Sequence, residues 1–114
     1  MTYARRFGTG EIALATTKPG KARDLTTLIN DKVLPILNKQ TGFADEILLL
    51  SDTEPNRVLA ISFWNTKEDA ERYQREQYPV VQQMIRPLLD AELVVQTFNV
   101  DSSTTHNIVA EKAA

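Results

Sequence analysis

Residues 58–89 read VLAISFWNTKEDAERYQREQYPVVQQMIRPLL, and the reading of this run decides the fold. It opens as an apolar strand, Val58–Trp64, that ends in Phe63-Trp64 and passes at Asn65-Thr66 into an amphipathic helix. The Thr66 hydroxyl can cap that helix, and Asp69, three positions on, stands where the reciprocal partner of a capping box belongs. Ala70, Tyr73, Val80, Val81, Met84, Ile85 and Leu88 form its apolar side. Glu68 with Arg72 and Glu71 with Arg75 are spaced four apart, worth about 0.2–0.5 kcal/mol each. Pro79 is expected to bend the helix after Tyr78, and Pro87 to tighten or end it.

Working outward, an earlier copy of the same pattern appears. Ile12–Thr17 reads as a strand, Lys18-Pro19-Gly20-Lys21 as a turn, and Leu25, Leu28, Ile29, Val33, Ile36 and Leu37 recur at helical spacing. Pro35 falls inside that stripe, so a kink is expected near Asp31 to Lys32, and Gly42 stands in the C-cap position. Phe43–Leu50 is a second strand, joined by the polar turn 51–56 to Val58–Trp64 with antiparallel pairing, and Leu93–Val100 is the last. The order strand, helix, strand, strand, helix, strand predicts an α+β fold of the ferredoxin-like βαββαβ kind, a four-stranded antiparallel sheet with both helices on one face. Residues 1–11 read as an N-terminal arm, 12–100 as the domain and 101–114 as a polar tail. Strands apolar on both sides would leave the helix-free face greasy, which predicts a homodimer packed sheet to sheet.

The chain has 114 residues, enough for one core. Its 13 basic and 15 acidic residues give a net charge of −2, with Arg5-Arg6 as the only basic cluster, which argues against a nucleic-acid partner. No cysteine is present, so a thiolate nucleophile, a disulfide and a Cys-based metal site are excluded. The N-terminal apolar run is too short for a membrane span or a signal peptide, and the expected location is cytoplasmic. No spacing of His or carboxylates suggests a metal, and no glycine-rich loop a phosphate.

These pieces together, Lys18-Pro19-Gly20-Lys21, Thr41-Gly42-Phe43, and Phe63-Trp64 followed by Lys67-Glu68-Asp69-Ala70, resemble the antibiotic-biosynthesis monooxygenase superfamily over about residues 12–100. The resemblance implies subunits that pair as dimeric α+β barrels. It further implies a cofactor-independent monooxygenase or oxidase acting on a small aromatic or polyketide-like phenol or quinol. The alternative is a non-catalytic dimeric module that binds a small ligand or serves in stress. The haem-degrading branch has an aromatic near Tyr73 and an iron-ligating His near Gln83; this chain has Gln82-Gln83-Met84 there, and Ile12-Ala13-Leu14-Ala15 lacks that branch's Asn.

The oxygenase reading designates Tyr73, Arg86 and His106 as catalytic candidates and Trp64, Asn65 and Tyr78 as substrate-binding ones. Each also has a plainer reading. Trp64 is first a core aromatic whose indole N–H needs one partner. Tyr73, on the apolar side of its helix, carries a hydroxyl that a neighbour, a water or a ligand must satisfy. Arg86 can be a solvated charge near a helix C-terminus, Asn65 part of a helix N-cap, and His106, the only histidine, a solvated tail residue. Asp45-Glu46 and Asp90-Glu92 read as edge carboxylates that discourage wrong strand pairing.

Overall fold

The computed structural model describes residues 8–104. The element order is β1 (Thr9–Thr16), α1 (Ala22–Leu28), a π-helical turn (Ile29–Val33), α2 (Leu34–Asn38), β2 (Phe43–Leu50), β3 (Arg57–Trp64), α3 (Lys67–Glu76), α4 (Tyr78–Ile85), a short 3₁₀ turn (Arg86–Leu88) and β4 (Val94–Asn99). The four strands form one sheet in the order β2-β3-β1-β4, every neighbour antiparallel. This is the α+β, ferredoxin-like arrangement that the chain's strand-helix pattern predicts.

Pro35 does not break the first helix. It lacks an N–H to give to the Asp31 carbonyl, and the backbone accommodates it by widening into the π-helical turn at Ile29–Val33 before α2 continues. The stripe survives the change of pitch: Leu25, Ile29, Val33 and Leu37 are all buried. Gly42, at φ +84°, turns the chain from α2 into β2, and a side chain there would also collide with the Asp69 carboxylate. At the start of α3 the Asp69 N–H donates to Thr66 Oγ1 at 3.1 Å. The Asp69 carboxylate takes Arg72 at 3.0 Å, so Arg72 pairs three residues back, and Lys67 takes Glu71 at 3.9 Å. The second helix breaks at Gln77 (φ −114°, ψ −29°), one residue earlier than the proline rule alone suggests.

One strand reading needs correction. β1 begins at Thr9, three residues before Ile12, because it pairs with β3 on one side and β4 on the other from Thr9 onward, and Thr9 and Glu11 are buried there. The run 47–50 is apolar on both sides and, as that pattern predicts, one of its faces is uncovered within one chain. Ile47 and Leu49 point away from the helices and are 42% and 47% exposed, as are Val94 and Phe98 on the same face at 52% and 49%. The other face is covered by the helices, and Ala15, Val58 and Trp64 lie beneath them with Leu25, Leu37, Val81 and Ile85. No helix among the described residues is long and apolar enough to cross a membrane.

Candidate functional site

Three alanines, Ala13 and Ala15 on β1 and Ala60 on β3, occupy the centre of the helix-facing side of the sheet, and their small side chains leave space under the helices. The resulting cavity has about 60 Å³ open to the centres of water molecules. On that scale one water needs ~10–15 Å³ and a benzene ring about 150 Å³, so the enclosed space takes roughly four to six waters and only part of a ring, the rest of which would extend through its open side. Its floor and walls are aliphatic; its polar groups are Glu11, Glu46, Ser62, Tyr73 and Tyr78.

The two glutamates reach the cavity because of strand register. Glu11 on β1 and Glu46 on β2 both lie opposite Ser62 on β3, so the three residues form one row across the sheet. Strand spacing puts the two glutamate backbones about 10 Å apart, with Ser62 between them. The position of Glu46 depends on an irregularity: Phe43 pairs with Trp64 but Asp45 pairs with Phe63, which leaves Ala44 as an extra residue. Without that bulge Asp45 would lie opposite Ser62 and Glu46 would face outward. With it, Phe43 and Glu46 both face the helices. The reading of Glu46 as a solvated edge carboxylate is therefore corrected, and the reading of residues 1–11 as an arm hid Glu11. No pattern in the sequence marks the bulge; the one available signal was the carboxylates Glu11, Asp45 and Glu46 in strands otherwise largely apolar.

Burial raises both carboxyls. Glu46 is pushed up to about 7 by desolvation, with the neighbouring Asp45 charge adding to it. Glu11 is raised by desolvation and partly held back by a 2.6 Å hydrogen bond donated by Gln74 Nε2 to its Oε2. The tyrosines face them from the helices. Desolvation raises Tyr73 well above the usual phenol range, with the charges of Glu11, Tyr78 and Glu46 adding to it. Tyr78 is pushed up to about 12, first by burial and then by Glu11 and Glu92. Both tyrosines thus stay protonated as hydrogen-bond donors. The Tyr78 hydroxyl is buried with no partner among the described residues.

The helix break brings these two rings together. In an unbroken helix, positions five apart differ by about 140° around the axis; with the break at Gln77, Tyr73 and Tyr78 stand at 6.3 Å in an edge-on pair and both line the cavity. Trp64 stands behind them, fully buried, stacked on Tyr73 at 5.1 Å and donating its indole N–H to Ser62 Oγ at 2.9 Å. It supports the wall and does not line the cavity. Since Ser62 accepts from Trp64, its own proton is left to donate.

The remaining sequence candidates lie elsewhere. Arg86 is exposed and borders a surface groove with Gln82, Leu89 and Glu92, outside the lining of the cavity. Asn65 is exposed; its N–H donates to the Gly42 carbonyl, and the capping side chain belongs to Thr66. His106 lies outside the described residues. Met84 packs against the core. Of the six candidates, the structure brings together Trp64, Tyr73 and Tyr78.

Comparison with known proteins places this geometry in context. The family model for antibiotic biosynthesis monooxygenase matches residues 10–85. No curated protein matches by sequence. Among solved structures, a monooxygenase of Streptomyces coelicolor in complex with nanaomycin D superposes with a TM-score of 0.74 at 12% identity, covering 85% of this chain and 90% of that one. A Nitrosomonas europaea protein of unknown function superposes at 0.72 with 13% identity, covering 86% and 93%. A conserved protein of Methanosarcina mazei does so at 0.68 with 16% identity, covering 81% and 91%. At these identities the superpositions speak for the fold.

Proposed function

Given that the chain belongs to the antibiotic biosynthesis monooxygenase family, we propose that it oxidises a small phenol or hydroquinone with O2, using its own side chains and no bound cofactor. The observation that carries this reading is the pairing, in one partly open apolar cavity, of a carboxyl at about 7 with a buried tyrosine hydroxyl that has no partner among the described residues. The first is a base stronger than an ordinary carboxylate. The second is a donor waiting for an acceptor.

In this scheme the Glu46 carboxylate takes the phenolic proton, and Tyr78 donates a hydrogen bond to the oxygen that becomes negative. The phenolate passes electrons to O2 more readily than the phenol does. A phenol with a free para position then gains one oxygen atom and becomes a quinone, the second oxygen leaving as water; the ring supplies all four electrons. A hydroquinone instead gives two electrons and two protons, and O2 leaves as hydrogen peroxide. Tyr73, backed by Trp64, forms the flat wall on which the ring stacks. Because Arg86 lies outside the cavity, the role of holding the anion passes to Tyr78.

The same reading includes a homodimer formed through the open sheet face, where Ile47, Leu49, Val94 and Phe98 are exposed. The test of activity is oxygen uptake with a panel of para-unsubstituted phenols and hydroquinones. Turnover should fall by about 10²–10⁴ in Glu46→Gln, the usual contribution of a general base, and fall in Tyr78→Phe. No uptake above the uncatalysed rate across the panel would remove the enzymatic reading in favour of a ligand-binding module.

A further inference from the structure

The proposed chemistry needs the cavity to hold a phenolate, yet among the described residues that line it none is Lys, Arg or His. Glu11 and Glu46 face it instead. Proton transfer from the substrate to Glu46 moves a negative charge within the cavity without removing it, and Glu11 adds a second one. A purely anionic guest would therefore meet repulsion from Glu11 and no attraction from a basic group among the described residues of the lining.

From this we propose that the ligand supplies the missing positive charge: a phenol or hydroquinone bearing a protonated amine, bound with its ammonium group on Glu11. The proposal rests on the oxidative reading of the same cavity and extends it to substrate class. Two features besides the charge fit it. Glu11 is 5% exposed and its Oε2 is fixed by the 2.6 Å bond from Gln74, which leaves Oε1 for a ligand donor in a held orientation. The row Glu11-Ser62-Glu46 sets the carboxylates at opposite ends of the polar stretch, so that an ammonium at one end leaves the phenol at the other.

The experiment is anaerobic calorimetric titration of the full chain with three probes of one shape: tyramine, para-ethylphenol and para-hydroxyphenylpropionate. Tyramine should bind at least about tenfold more tightly than para-ethylphenol, the scale of one charge-assisted hydrogen bond in a buried site, and the propionate most weakly. In Glu11→Gln the advantage of tyramine over para-ethylphenol should vanish while para-ethylphenol still binds, which reports an intact cavity. Equal binding of tyramine and para-ethylphenol by the natural chain, an advantage that persists in Glu11→Gln, or no binding of any probe would each overturn the proposal. Oxygen uptake is read separately: charge preference without uptake leaves this proposal standing and removes the oxidative reading.

Discussion

Glu46 carries most of the proposed chemistry, and its side chain faces inward because one extra residue, Ala44, is inserted in β2. The same burial that makes it a useful base gives it a thermodynamic signature. Its carboxyl holds a proton in the folded chain up to about 7, whereas an unfolded carboxyl releases it near 4.5. Between those values the folded state binds more protons than the unfolded state, so stability falls as pH rises through the window. Glu11, also raised, adds to the fall in the same direction. Urea titrations at about pH 5 and about pH 8 should show the natural chain losing stability on going to the higher pH, and Glu46→Gln losing less; an equal loss in both would place the Glu46 carboxyl in water. Trp64 and Tyr73 were legible in the sequence because an aromatic at a strand end and one on an apolar helix stripe follow from periodicity. Arg86 was not, since periodicity gives a side chain's face on its own helix and not what the last turn of that helix looks out upon.

Among the elements, the strands and both helical regions follow from hydrophobic spacing, and their deviations follow from prolines and register. Pro35 and Pro79 are similar marks in the sequence with different outcomes. Pro35 sits within a stripe that stays in contact with the sheet on both sides of it, and the helix bulges into a π turn. Pro79 follows Gln77, where the chain turns and brings Tyr78 back toward Tyr73. The sequence locates both disturbances but does not choose between bulge and break, since that choice depends on what the following turn packs against. The α2–β2 corner gives an element-scale prediction. Gly42→Ala must adopt a left-handed backbone, costing about 1–2 kcal/mol, and must also displace Asp69 from its place beside Arg72 at the start of α3. Chemical denaturation should report a loss larger than that backbone cost alone, and a change of under about 0.5 kcal/mol, typical of a neutral surface site, would contradict the corner as described.

For the whole molecule, one sheet with helices on one side leaves the other side apolar, and the exposed Leu49 and Phe98 mark it. Light scattering at micromolar concentration should give the mass of two chains, and Leu49→Lys, which places a charge on that face, should shift it toward one; a natural chain that scatters as a monomer would contradict the dimer. The cavity lies on the opposite side of the sheet, so its chemistry can be measured apart from assembly. The central claim is that the Glu46 carboxyl serves as the base for oxidation by O2 in that cavity. The most direct test is the pH profile of oxygen consumption with a phenol that the protein turns over, measured for the natural chain and for Glu46→Gln. The account predicts a rate that rises with pH through about 7, as Glu46 loses its proton, and levels above it. In Glu46→Gln the rate should be low and that rise absent. A Glu46→Gln variant with the same rate and the same rise would contradict the claim.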